Sequence, residues 1–263
     1  MELNICHLYP DILNLYGDRG NIITMKRRLE SRGISVNVDE CSIGQPLDVD
    51  KYDIFFIGGG QDFEQEVLLR DLASGKGKDI CTAVEEEKVF LAICGGYQMM
   101  GRTVSDPDNT EGGGSLRGMS LLPIDTVFRP SKTTTQTRGT LLEIDGVLSD
   151  LSGLAVEGYE IHMGETVRDA SAKPLVRLLR REGEIEDGCQ TENAFGTYLH
   201  GVFDAPEAAL RTAQALAQKK GVTLTGEALD THAYKEQQYD KLADSVRKSL
   251  DMEWIYRIME GKA

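Results

Sequence analysis

The chain has 263 residues, 40% hydrophobic and 27% charged, which is the make-up of an ordinary globular protein long enough to bury a full core. A formal net charge of -14 argues against nucleic acid or anionic lipid as a direct partner, because both would be repelled unless a local basic patch intervened. The longest apolar runs are far too short to span a membrane and Met1-Glu2-Leu3-Asn4 opens no signal peptide, so a cytoplasmic chain with no membrane insertion is expected.

Leu3 to Tyr9 reads as a first strand. The turn-forming run Tyr16-Gly17-Asp18-Arg19-Gly20-Asn21 leads into a helix with Ile22, Ile23, Met25 and Leu29 on its apolar positions, ended by Gly33. Ile34 to Val38 is a second strand. Tyr52 to Ile57 is a third, apolar throughout and therefore expected to be buried on both faces. It runs into Gly58-Gly59-Gly60-Gln61-Asp62, followed by helices at Phe63 to Ala73 and at about Lys78 to Glu87. Val89 to Ile93 is the fourth strand. Strands and helices alternating at this spacing imply βαβ units, hence an α/β fold with a doubly wound, mostly parallel sheet flanked by helices.

After the helix at Tyr97 the texture changes. Ser105 to Gly114 is a polar, glycine-rich loop, and the chain from Gly118 to about Thr166 is strand-rich, with candidates at Leu121 to Phe128, Gly139 to Ile144 and Ala155 to His162. Pro174 to Leu179 and Ala194 to Leu199 follow, separated by an acidic loop at Glu182 to Asp187. Pro206 to Lys219 is an amphipathic helix with proline in its first turn. His232 to Glu260 is helical, with Tyr239, Leu242, Ala243, Val246 and Leu250 at helical spacing, a core or docking stripe. The expected organisation is one domain over residues 1–231 with a C-terminal helical extension, 232–263, packed on it.

The stretch Val89 to Gly101 carries the chemistry. A strand breaks at Cys94, passes through Gly95 and Gly96, and opens a helix at Tyr97 and Gln98. A thiol on such a turn is held up by strained backbone beside N–H groups that favour an anion. The bland reading is a buried cysteine at a strand end, as free cysteines often are. The other cysteines, at 6, 41, 81 and 189, form no CxxC pair, and the histidines at 7, 162, 200 and 232 lack metal-ligand spacing, so no metal site is expected. A thiolate nucleophile needs a base. His200, ending Phe195 to Leu199, is the best placed of the four. His162 is the second choice, His7 looks structural, and His232 looks solvated.

Ala92-Ile93-Cys94-Gly95-Gly96-Tyr97-Gln98 together with Thr197-Tyr198-Leu199-His200-Gly201 resembles the triad-type, class I glutamine amidotransferases of the CobB/CobQ-like branch. Within that branch, Leu13 to Asp18 and Phe56 to Gln65 look like the GatD glutaminase subunit of lipid II isoglutaminyl synthase. Leu121 to Phe128, Gly158 to Gly164 and the tail around Tyr239 to Ala243 look more like cobyric acid synthase.

The resemblance implies hydrolysis of the side-chain amide of glutamine, with Cys94 as nucleophile and His200 as base. It also implies an oxyanion site from the N–H of Gly95 and one from the Gly59-Gly60 loop. Gln98 would bind substrate or fix the pocket. In place of the family's glutamate two residues after the histidine stands Val202, so Asp204 is the candidate orienting acid, against a helix-capping role, a bare Cys-His dyad or an acid from a partner chain. Arg129, Lys132 and Arg138 are the candidate partners of the glutamine carboxylate, with Arg129 and Lys132 preferred. No phosphate-binding loop is present, so no cofactor is expected in this chain. Because the sequence reads as a complete chain, ATP and magnesium are expected on a separate synthetase. In the GatD reading this is a MurT-like Mur-ligase chain, and the role is peptidoglycan synthesis. The alternatives are an amidotransferase for corrinoid side chains and a non-catalytic partner-binding domain.

Overall fold

A computed structural model describes the chain except residues 61–63, 111, 182, 223, 225–230 and 263. The N-terminal half alternates as the sequence pattern dictates. Strand β1 (Glu2–Leu8) is followed by α1 (Arg19–Glu30) and β2 (Ser35–Cys41). Next come β3 (Ile54–Ile57), α2 (Gln65–Asp71), α3 (Gly77–Glu85), β4 (Val89–Ile93) and the short α4 (Gly95–Met99). The four residues of β3 are all fully buried, as an apolar run between two helix layers requires. In α1 the buried positions are Asn21, Ile22, Met25 and Leu29, one stripe of a 3.6-residue period. The expected single helix from 63 to 73 is instead α2 and a five-residue π turn at Leu72–Lys76, where Gly75 takes φ 138°. Residues 61–63 of that expectation lie outside the described ones.

With β11 (Cys189–Gln190) and β12 (Ala194–Thr197), these strands form a six-stranded sheet in the order β11-β12-β4-β3-β1-β2. Every pairing is parallel except β11 with β12. The chain winds from β1 outward to β2, then crosses to β3 and β4 on the other side, so the order reverses between β1 and β3. A crevice opens beyond the carboxyl ends of the strands at such a reversal, and the segments after β1, β3, β4 and β12 all meet there.

The strand-rich middle makes a second sheet, mostly antiparallel, from β5 (Thr103–Asp106), β6 (Gly114–Arg117), β7 (Ile124–Leu141), β8 (Ala155–Arg168), β9 (Val176–Arg180) and β10 (Gly183–Asp187). The expected strands at 121–128 and 139–144 are one eighteen-residue strand. Its pairing with β8 shifts between Phe128, opposite Gly164, and Thr133, opposite His162, so residues 129–132 bulge out of the ladder around Pro130, which has no N–H to give it. The expected acidic loop before Asp187 is the edge strand β10. Glu184 and Glu186 reach Arg177 across the ladder, and charges of this kind keep an exposed edge from pairing further.

Helix α5 (Pro206–Lys219) buries Ala208, Ala209, Ala213, Leu216 and Ala217 and lies beside α1. The chain divides into two units, Met1–Gly226 and Glu227–Ala263, where the sequence pattern suggests a division at 231/232. The second unit consists of α6 (Thr231–Ser249) and α7 (Met252–Met259). Tyr239, Leu242 and Val246 of its stripe are exposed, and Asp251 caps α7 by accepting from the N–H of Trp254 at 2.9 Å. The side chain of His232 lies outside the described ones.

His7 is a structural residue, 1% exposed and set edge-on against Phe56 with ring centroids 5.3 Å apart. Burial, with a smaller contribution from Arg19, lowers its pKa from 6.5 to about 4. Between those values the unfolded chain binds a proton that the folded chain refuses. Stability should therefore fall as the pH drops from 6.5 to 4, by on the order of 3 kcal/mol from this group alone. Denaturant unfolding at several pH values should show a shallower acid loss in His7→Phe than in the wild type.

Candidate active site

Cys94 ends β4 at φ 52° and ψ -112°, a conformation that costs a side-chain-bearing residue about 1–3 kcal/mol. The strain is held from both sides. The N–H of Cys94 donates to the carbonyl of Thr197 at 3.0 Å, and its own carbonyl accepts from Gln98 N–H at 3.0 Å to begin α4. Gly96 donates to the carbonyl of Gly58 at 3.0 Å, and a Cβ there would stand 2.7 Å from the Ile57 side chain. The turn thus fits only glycine at position 96. Gly95 occupies the first helical position, where an N–H has no acceptor within its own helix, and a Cβ on it would lie 3.4 Å from the nitrogen of Gly60.

His200 lies three residues past the end of β12, the parallel neighbour of β4, and is fully buried. Its Nδ1 is 2.7 Å from Oδ1 of Asp18. The other oxygen of Asp18 accepts from the N–H of Gly59 at 2.6 Å. Gly59 itself touches the cysteine: a Cβ on it would be 2.8 Å from Cβ and 3.3 Å from Sγ of Cys94, and 3.2 Å from Asp18 Oδ2. Cys94, Gly59, Asp18 and His200 therefore form one contiguous cluster. A neutral imidazole beside a carboxylate carries its proton on Nδ1, which leaves Nε2 a lone pair. That Nε2 is buried and has no hydrogen-bond partner among the described residues.

A cleft of about 30 Å³ opens on Cys94, lined by Tyr16, Gly60, Gln98, Lys132, Ile161, His162 and Met163. His162 and Met163 also wall a second cavity of about 420 Å³, which Arg129, Arg180, Asp187 and Tyr198 line. His162 is held differently from His200 and touches no carboxylate at hydrogen-bond distance among the described residues, with Glu160 Oε1 3.7 Å from its Nε2. Its Nδ1 meets the carbonyl of Gly164 at 2.8 Å and its ring stacks on Tyr198 at 3.8 Å. Behind it Glu160 is fully buried. Burial alone would raise its pKa, but His162 and the Arg180 fork outweigh that and hold it below the usual carboxylate range. Burial raises Asp187, which accepts from the Thr197 hydroxyl at 2.5 Å and the Tyr198 N–H at 2.9 Å and so fixes the run leading to His200.

Residues 4–208 match the model of the CobB/CobQ-like glutamine amidotransferase domain. The chain belongs to this family. It is 41% identical over 198 residues to the cobyric acid synthase of Lachnoclostridium phytofermentans, an alignment that covers 71% of this chain and 39% of that protein. It is 34% identical over 244 residues to the cobyric acid synthase of Alkaliphilus metalliredigens, covering 89% of this chain and 47% of that one. The chain thus spans less than half the length of these curated relatives. In fold it resembles the structure of PurLQS from Thermotoga maritima, with a TM-score of 0.57 at 16% identity, covering 84% of this chain and all of that one.

For a CobB/CobQ-like amidotransferase domain, the geometry bears on four of the residue expectations. Asp204 does not orient His200. It is exposed, its carbonyl accepts from Arg28 at 2.8 Å, and Nδ1 of His200 is already taken by Asp18. Gln98 is part of the pocket frame, accepting from Gln65 at 2.7 Å and donating to the Tyr198 hydroxyl at 3.1 Å. Arg129 is turned to Glu165 at 3.1 Å and lines the larger cavity, whereas Lys132 lines the cleft at Cys94 with its Nζ 5.9 Å from the Tyr16 ring centre. Arg138 is exposed near Glu157, 3.8 Å away.

Asp18 was legible only as part of a turn. Its position immediately before α1 suggests an N-cap, yet its side chain makes no capping bond. A carboxylate that forgoes the backbone cap for a partner 182 residues away, keeping only a long contact at 3.4 Å to the Asn21 amide, has left the rule that sequence reading relies on. Asp18→Asn, which keeps the shape but offers an amide to Nδ1, should lower glutamate release from glutamine by about 10³- to 10⁴-fold. Asp204→Asn should leave the rate near that of the wild type in the same assay.

Proposed function

We propose that this chain is the glutaminase part of an ATP-dependent amidotransferase of the cobyric acid synthase kind, delivering ammonia to a carboxylate of a corrinoid acceptor. The observation that carries the glutaminase reading is the strained Cys94 set beside the Asp18–His200 pair, whose Nε2 has no hydrogen-bond partner among the described residues. Cys94 attacks the side-chain carbonyl of glutamine. Nε2 of His200 takes the thiol proton and returns it to the departing ammonia, and Asp18 holds the ring and offsets the charge it gains. The tetrahedral oxygen lies against the N–H groups of Gly95 and the Gly59-Gly60 segment. Water then cleaves the thioester, with His200 taking a proton from it, and glutamate leaves.

The cleft at Cys94 holds no more than a water or two as it stands, so glutamine enters by displacing its outer wall. That wall is Tyr16 and Lys132, both on segments outside regular pairing: the turn before α1 and the bulge of β7. The ammonium of Lys132 meets the α-carboxylate once inside. ATP and magnesium belong to the synthetase that consumes the ammonia.

The names of the curated relatives support the corrinoid acceptor. The likeness of Leu13 to Asp18 and of Phe56 to Gln65 to GatD supports a second reading, in which the synthetase is MurT-like and the acceptor is the stem peptide of lipid II. Residues 61–63 of that likeness lie outside the described ones.

Purified chain, assayed with and without each class of synthetase, should release glutamate from glutamine, and Cys94→Ala or His200→Ala should abolish release. No release in any combination would overturn the glutaminase reading. Capture of a Mur-type ligase rather than a corrinoid enzyme would overturn the acceptor. Lys132→Ala should raise KM for glutamine by about 10- to 100-fold with little change in kcat, and Arg129→Ala should not.

A further inference from the structure

The imidazole of His200 is held by more than Asp18. The ring of Tyr159 lies flat against it, with centroids 4.8 Å apart and planes 3° from parallel. The backbones of the two residues are bridged in both directions, Tyr159 N–H to the His200 carbonyl at 3.3 Å and His200 N–H to the Tyr159 carbonyl at 2.9 Å. Gly158 makes that approach possible, since a Cβ there would stand 1.9 Å from the His200 carbonyl oxygen. The hydroxyl of Tyr159 donates to the carbonyl of Tyr16, two residues before Asp18, and the Tyr16 ring meets His200 edge-on at 6.1 Å.

His200 and Asp18 come from loops at opposite ends of the chain, and Tyr159 touches both. The Asp18 contact fixes where Nδ1 is. A single hydrogen bond leaves the ring free to tilt about its axis, which would change where Nε2 points. A flat aromatic face removes that freedom, and its electron-rich surface favours the charged imidazolium that forms when the ring takes a proton.

We infer that Tyr159 is a positioning residue of the glutaminase site, its ring holding the His200 imidazole in the plane that keeps Nε2 directed at Cys94. The inference rests on the glutaminase reading above. The phenol–Tyr16 contact steadies the loop and is secondary to the ring.

The test uses Tyr159→Phe, which keeps the face and loses the hydroxyl, and Tyr159→Leu with Tyr159→Met, which fill the space without a face; two of the latter guard against one failing to fold. Circular dichroism confirms folding. Steady-state glutamate release and the low-field proton resonance of His200 Nδ1, read without glutamine, are the two measurements. Expected are a Phe variant within about threefold of wild-type kcat, and Leu or Met variants about 10- to 100-fold lower in kcat at nearly unchanged KM, with the resonance shifted or broadened.

Wild-type kcat in a folded Leu or Met variant, an equal loss in Phe, or a loss confined to KM would overturn the assignment. Should the wild type release no glutamate, the glutaminase reading fails on its own. The resonance still decides the positioning claim, and an unmoved signal in Leu and Met rejects it.

Discussion

The carboxylate of Asp18 is the constraint on which the rest of the site depends. One oxygen meets the imidazole of His200 and the other the N–H of Gly59, so a single side chain ties together the segments after β1, β3 and β12. The turn after β4 is drawn in through Gly59, whose missing side chain is what lets it lie against Cys94. None of these contacts is local. They exist because parallel strands deliver all four segments to one edge of the first sheet, and because the Asp18 carboxylate makes no capping bond to the backbone of α1. A helix-capping bond at Asp18 would be worth about 1 kcal/mol; spending that carboxylate on the cluster instead is the kind of local rule-breaking that marks a functional site.

The first sheet was legible in the sequence because its strands carry their own signal. Ile54 to Ile57 and Val89 to Ile93 are apolar on both faces, and the helices between them have a clear buried stripe. The turn at Cys94 was legible for the same reason: a strand that stops at a cysteine followed by two glycines and a helix opening marks a tight turn. His200 followed from its place at the end of a β-rich run. The orienting acid was not legible, because proximity in sequence pointed to Asp204 and the deciding contact spans 182 positions. The long strand β7 was misread as two. Pro130 and the exposed residues around it look like a loop, and only pairing with β8 on both sides of the bulge makes the element continuous. Gln98 could be read toward substrate or toward the pocket frame, and the positions of Gln65 and Tyr198, fixed by other elements, favour the frame.

The second sheet does more than fill out the domain. Its strand β8 runs past the carboxyl edge of the first sheet and supplies, within five residues, the ring against His200, the buried carboxylate Glu160, and the wall shared by the cleft and the larger cavity. Alternation along a strand explains how one segment serves so many ends. Tyr159 faces the imidazole of His200, Glu160 faces away into a pocket sealed by Arg180, the backbone carbonyl of Ile161 accepts from the Cys94 thiol at 3.7 Å, and the bulge of β7 opposite leaves room for Lys132 to hang over the cleft. The chemistry-bearing atoms come from the parallel sheet, and their orientation is set by the antiparallel one.

This division explains why the site tolerates so strained a backbone at Cys94. The cost there is about 1–3 kcal/mol, a sizeable fraction of the net stability of a domain this size, and it persists only if neighbours leave the turn no alternative. Gly96 against Ile57, the Cys94 N–H on Thr197, and the Asp187 carboxylate on Thr197 and Tyr198 form a continuous set of buried contacts that does this. Relaxing the elbow would break the strand end that leads to His200 as well as the one that presents the thiol. The thiol of Cys94 and the imidazole of His200 are therefore positioned by the same contacts: a change that frees one displaces the other, and the two side chains are kept in register by shared packing.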